Sequence, residues 1–134
     1  MPTTALETGL YNKLKASSAL ITALGGTLIY NKIAPQGTTG KYVIFQWQGG
    51  GDENDTPTRS RNPVYTVFGI DNTVEGAAAL DGLIDTALHE ATLTVSGWNN
   101  YHTVRESDIN IMEPNTGKTP VFRCGGLYRI MIDK

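Results

Sequence analysis

Two runs decide the fold: Tyr42-Val43-Ile44-Phe45-Gln46-Trp47-Gln48 and Val64-Tyr65-Thr66-Val67-Phe68-Gly69-Ile70. Both are rich in β-branched and aromatic residues, and glycines stand on either side of the first, which is the composition of strands. In the second run, alternation puts Val64, Phe68 and Ile70 on one face. The stretch between them, Gly49 to Asn62, offers no apolar side chain that a core could use. It therefore reads as a long flexible arm, residues 49–62, joining two hairpin strands. Its charges are segregated. Asp52, Glu53 and Asp55 lie on the outgoing limb, and Arg59 and Arg61 on the returning one. These five residues are the candidate interface residues of the chain.

Upstream of the hairpin the pattern is helical. Thr4 and Glu7 have the spacing of a capping box, and Leu6, Leu10 and Leu14 follow on one stripe. Ser17 or Ser18 reads as a new N-cap, and Leu20, Ile21 and Leu24 give a short second helix that Gly25-Gly26 ends. Leu28 to Tyr30 reads as a short strand, followed by the turn Ala34-Pro35-Gln36-Gly37.

Downstream, Asn72 or Thr73 opens the main helix, expected to run to about Ala91. Ala77, Leu80, Ile84, Ala87, Leu88 and Ala91 share one arc, with Glu75, Asp85, Thr86 and His89 outside it. A strand at Thr92–Ser96, a turn at Trp98-Asn99-Asn100 and a strand from Val104 to Met112 come next. After a second turn at Asn115-Thr116-Gly117, the last strand runs from Val121 to Ile132. It puts Phe122, Cys124, Tyr128, Ile130 and Ile132 on one face, and Gly125-Gly126 marks a bulge or a place where another backbone approaches. The order predicts one α+β domain spanning 1–134. Its sheet is mostly antiparallel, with the main helix and the N-terminal helical pair on one face.

Composition bounds the function. The chain has 134 residues, 40 % hydrophobic and 18 % charged, with a formal net charge of −2. A protein that grips nucleic acid by its phosphates needs a cationic surplus, and none exists here. Cys124 is the sole cysteine, so no intrachain disulfide forms. No secretory signal precedes the first helix and no window has the length of a membrane span, so a reducing cytoplasm is the expected folding compartment.

Catalytic, metal and cofactor chemistry finds no constellation. Gly117-Lys118-Thr119 and Gly40-Lys41 imitate a phosphate-binding loop but lack the first glycine and the following helix. Asp85 and His89, four apart, are two ligands where a metal needs more, and a solvated helix face explains them. His102 belongs to a polar stretch. Strand alternation points Arg123 and Arg129 away from Cys124, which reads as a buried, inert thiol. The expectation is a non-enzyme with no cofactor.

The first half resembles the tail-completion, or tail-terminator, proteins of long-tailed bacteriophages. The residues that carry the resemblance are Ala23-Leu24-Gly25-Gly26, Leu28-Ile29-Tyr30, Ala34-Pro35-Gln36-Gly37 and Tyr42-Val43-Ile44-Phe45-Gln46. Lys41 stands where that family often has a proline before its Tyr-Val. The second half is similar in layout. The resemblance implies a virion structural protein of the tail, assembled in the host cytoplasm. Such a protein forms a homo-oligomeric ring, a hexamer, that closes the tail tube protein's stack and meets the head connector protein. DNA would pass through the lumen without specific binding, and near-balanced charge suits that passage. A head–tail connector stopper would also form rings. A small-ligand binding α+β domain without catalysis is the alternative of a different class, and it predicts one apolar pocket with a few convergent polar groups.

Overall fold

The computed structural model describes residues 3–35, 38, 40–50, 52–53, 60–113 and 120–133. The elements follow the chain as α1 (Thr3–Lys15), α2 (Ser18–Leu24), β1 (Ile29–Asn31), β2 (Tyr42–Gly49), β3 (Asp52–Glu53), β4 (Ser60–Arg61), β5 (Val64–Asp71), α3 (Val74–Leu88), β6 (Thr94–Val95), β7 (Trp98–Glu113) and β8 (Val121–Asp133). All eight strands among the described residues share one sheet. From one end it runs β1, β2, β5, β8, β7, β6, and β3 and β4 continue the β2–β5 hairpin beyond Asn62-Pro63. Every pairing is antiparallel except β1 with β2. The fold is α+β, as the order of elements predicts.

The main core lies between the three helices and one face of the sheet. Leu6, Leu10 and Leu14 of α1, Leu20 and Leu24 of α2, and Leu80, Ile84 and Leu88 of α3 are buried there. They meet Val43, Phe45, Tyr65, Val67, Tyr128, Ile130 and Ile132. Each such side chain contributes about 1.5–3 kcal/mol through burial. Sequence alternation placed Phe68 and Ile70 on one face of β5, and they do share it, but on the side away from the helices. There they form a second, smaller cluster with Ile44, against which Tyr42, Ile109 and Val121 pack. β5 is therefore apolar on both faces, which is why its run is nearly continuous in hydrophobicity.

Several local expectations change. Thr4 already lies inside α1, and Glu7 does not close a capping box: its Oε2 accepts from Asn31 Nδ2 at 2.7 Å, tying α1 to β1. Ser17 is the N-cap of α2, its Oγ accepting from the Leu20 amide at 3.4 Å, and Gly25 ends the helix at φ 79°. α3 starts on Thr73, whose Oγ1 accepts from the Gly76 amide at 3.1 Å. It stops at Leu88, short of Ala91, because Glu90 turns to φ 60° and its amide donates to the Thr103 carbonyl at 2.7 Å. Trp98-Asn99-Asn100 is strand, not turn: the reversal falls at Ser96-Gly97, where Gly97 takes φ 80°. Asn100 turns its amide inward, accepting from the Leu93 amide at 2.7 Å and donating to the Met131 carbonyl at 3.0 Å. The Asn115-Thr116-Gly117 turn lies outside the described residues.

Candidate functional site: a docked half and two open edges

Arg105, on β7, organises the junction of α3 with the sheet. Its guanidinium spans Asp81 of α3 with two bonds, Nη1 to Oδ1 at 2.6 Å and Nη2 to Oδ2 at 3.0 Å. It also donates to the Tyr128 hydroxyl at 3.1 Å, the Gly125 carbonyl at 2.9 Å and Asp108 Oδ1 at 2.8 Å. The Tyr128 hydroxyl in turn donates to Asp85 Oδ1 at 3.1 Å. The bonds to Asp81 hold Arg105 still more firmly protonated than usual. Burial raises the Tyr128 phenol, and the nearby guanidinium only partly offsets this.

Gly125 and Gly126 make that path possible. A Cβ on Gly126 would stand 2.7 Å from the Ser107 carbonyl and 2.8 Å from Arg105 Nε. One on Gly125 would strike the backbone of Val67 and Phe68. The pair runs in regular register with both neighbours, so close approach, and not a bulge, is what these glycines serve. The irregularity sits on the facing strand, between Arg105 and Ser107.

Asp85 and His89 lie on the solvated face that the helical wheel predicts, Asp85 with its side chain 42 % exposed, and both also reach the sheet. Asp85 takes the Tyr128 hydroxyl, and His89 Nδ1 accepts from the Arg105 amide at 3.3 Å. With Arg105, Glu106, Ser107 and Asp108 they line a polar hollow of about 280 Å³. Among the described residues no group of three His, Cys, Asp or Glu side chains converges. His102 lies exposed on β7. Cys124 is buried on the α3 side of β8, and burial pushes its thiol pKa up, against nucleophilic use. Arg123 stacks over the Phe68 ring on the other face, and Arg129 pairs with Glu106.

The candidate arm residues divide. Asp55 and Arg59 lie outside the described residues, as do the side chains of Asp52 and Glu53. The backbone of the arm's base continues the hairpin, with Asp52 opposite Arg61 and Glu53 opposite Ser60 in one chain. Arg61 also pairs with Ile132 and lies 6.0 Å from the Trp98 ring, so the returning limb rejoins the sheet before Asn62.

Three features went unmarked in the sequence. The first is Arg105. The second is a groove of about 560 Å³ between α1 and β1, lined by Glu7, Tyr11, Ile29, Tyr30, Ile33 and Phe45 among others. Ile33 on its lip is 80 % exposed, and Glu7 Oε1 is buried there without a hydrogen-bond partner. The third is the far end of β7, where consecutive Ile111 and Met112 are 45 % and 53 % exposed. A lone surface isoleucine is unremarkable in sequence, and only its place beside an unpaired strand edge gives it meaning.

No protein-family model matches the chain, and no curated protein matches it. Among solved structures, a chain of the "Virion of native gene transfer agent (GTA) particle" matches with a TM-score of 0.81 at 21 % identity. The alignment covers 98 % of this chain and 97 % of that one, so the two share their fold from end to end.

Proposed function

We propose that this chain is a structural subunit of a phage-like virion. It acts by assembly and not by catalysis. In the finer form of this reading it forms a ring, a hexamer, that closes the tail tube and meets the head connector, with DNA passing through the lumen. The observation that carries the proposal is the end-to-end fold shared with a chain of a gene transfer agent virion. The resemblance of the first half to tail-terminator proteins supports the finer form. So do sheet edges left uncovered at both ends among the described residues. The arm, with Asp52, Glu53, Asp55, Arg59 and Arg61, is proposed as a further contact with neighbouring subunits or the tube.

Cryo-electron microscopy of particles carrying the tagged chain tests this reading. Six-fold rings at the head-proximal end of the tail are expected. A ring seated at the head connector itself would reassign the chain to a stopper, and absence from particles would overturn the virion reading. The groove beside Glu7 favours one competitor, a small-ligand binding domain. Native mass spectrometry separates the two: a ligand-bearing monomer supports the competitor, and a ligand-free closed oligomer opposes it.

A further inference from the structure

We infer that copies of this chain join head to tail, the free end of β7 in one copy adding to the outer edge of β1 in the next, with Met112 seated in the groove between α1 and β1. The inference rests on the ring proposed above and names the contact that builds it.

The sheet has two ends, and they differ. At one end, among the described residues, β1 pairs only with β2. At the other, β6 and the segment after α3 cover β7 as far as Arg105: Thr94 and Val95 pair with Asn99 and Trp98, Glu90 bonds Thr103, and His89 bonds Arg105. No described strand pairs with the outer edge of β7 from Glu106 onward. Two open edges at opposite ends of one sheet cannot meet within a copy. Repeated between copies, they make a heterologous contact, and such contacts close into rings or grow as filaments.

Strand direction agrees. β1 runs parallel to β2, and the pairs β2–β5, β5–β8 and β8–β7 are each antiparallel, so β7 runs opposite to β1. A copy displaced along the sheet therefore presents β7 antiparallel to β1, ready for main-chain bonding. The faces agree too. Asp108 bonds Arg105 on the helix face of the sheet, and alternation puts Asn110 and Met112 on that same face. The groove between α1 and β1 opens on the helix face as well, so Met112 arrives at Tyr11 and Ile33.

Charge is complementary at the rims. Exposed Lys32 sits between the groove residues Asn31 and Ile33, and exposed Lys15 lies 5.9 Å from the Tyr11 ring. Around the free half of β7, Asp108, with its side chain 86 % exposed, and the neighbouring Asp81 and Asp85 share the single cation Arg105, so carboxylates are in surplus there, while Glu106 is already paired with Arg129.

The test is a double cysteine variant, Ile33→Cys with Met112→Cys, oxidised both as purified protein and in particles. Cys124 is buried and stays inert. The expected result is a ladder of covalent oligomers ending at one size, with neither single variant giving a ladder. A double variant that stays monomeric in both settings, or stops at a dimer as an isologous contact would, overturns the inference. A second measurement uses Ile33→Asp and Met112→Asp. Each alone should remain monomeric, and their mixture should give a one-to-one heterodimer because one competent pair of surfaces is left. Parent-like assembly of either variant also overturns the contact. If particles show rings while these variants fail as described, the contact is wrong and the proposed function stands. If particles show no ring, the ring reading falls whatever the ladder does.

Discussion

The two halves of β7 belong to one strand and lie beside the same β8, yet they meet different surroundings. From Trp98 to Arg105 the outer edge is closed by β6 and by His89 and Glu90, and Arg105 bolts the strand to α3. From Glu106 to Glu113 no described strand covers that edge, and Ile111 and Met112 face solvent. The first half is held by contacts within the chain, and the second leaves its edge and two apolar side chains open among the described residues. The boundary between them is the irregularity at Arg105–Ser107. Bulges of this kind re-aim side chains and terminate pairing.

The sharpest way to break this contrast is Arg105→Met. It leaves Asp81 beside α3 without its bidentate partner and the Tyr128 hydroxyl with one partner fewer. Arg105 is only 15 % exposed, so the cost should be about 3 kcal/mol, read as a lowered urea midpoint. A midpoint within error of the parent would show that the network does not hold α3. Next in size is Gly126→Ala, whose new methyl competes with Arg105 and the Ser107 carbonyl for one space. A loss of about 1–3 kcal/mol is expected, and Gly82→Ala, with open space around it, is the control that should not destabilise.

The docked half should also show itself in alkali. Burial raises the phenols of Tyr65 and Tyr128, and for Tyr65 the carboxylate of Glu7 adds to this. A raised folded pKa means that the folded state keeps protons the unfolded state has lost once pH passes the ordinary tyrosine value of about 10. The stabilisation is complete below that pH and is lost as pH climbs from there through the raised folded values. Urea midpoints should therefore fall between pH 9 and pH 11, and a flat profile over that range would contradict the burial of both phenols. Smaller still is the response of Cys124. Its labelling by a thiol reagent at neutral pH should be slow in the native state and fast in denaturant, and equal rates would place it on the surface.

The smallest effect on stability belongs to the open half. Met112→Asp removes an exposed side chain, so its midpoint should move by less than about 0.5 kcal/mol while assembly is lost. A large loss of stability there would mean that the two halves of β7 are not different after all.

What the residues determined alone is what depends on near neighbours in the chain. The periods of Leu6, Leu10 and Leu14, of Ala77, Leu80 and Ile84, and of Tyr128, Ile130 and Ile132 set the helices and the last strand, because period follows from local backbone geometry. Ser17, Gly25 and Thr73 set helix ends for the same reason. Gly125-Gly126 announced a close approach without naming what approaches. The tertiary structure decided the rest. Glu7 finds Asn31 instead of its own cap, Arg105 finds Asp81 across 24 positions, and Asp85 reaches the Tyr128 hydroxyl from its solvated helix face. Asn100 reads as a turn residue and instead bridges Leu93 to Met131 from within a strand. Each of these polar groups chooses its partner by distance in space, since a half-buried charge or amide must be satisfied by whatever the packed chain brings near. The same is true of Ile33, Ile111 and Met112. Hydrophobicity belongs to the residue, but exposure at an open edge belongs to the fold.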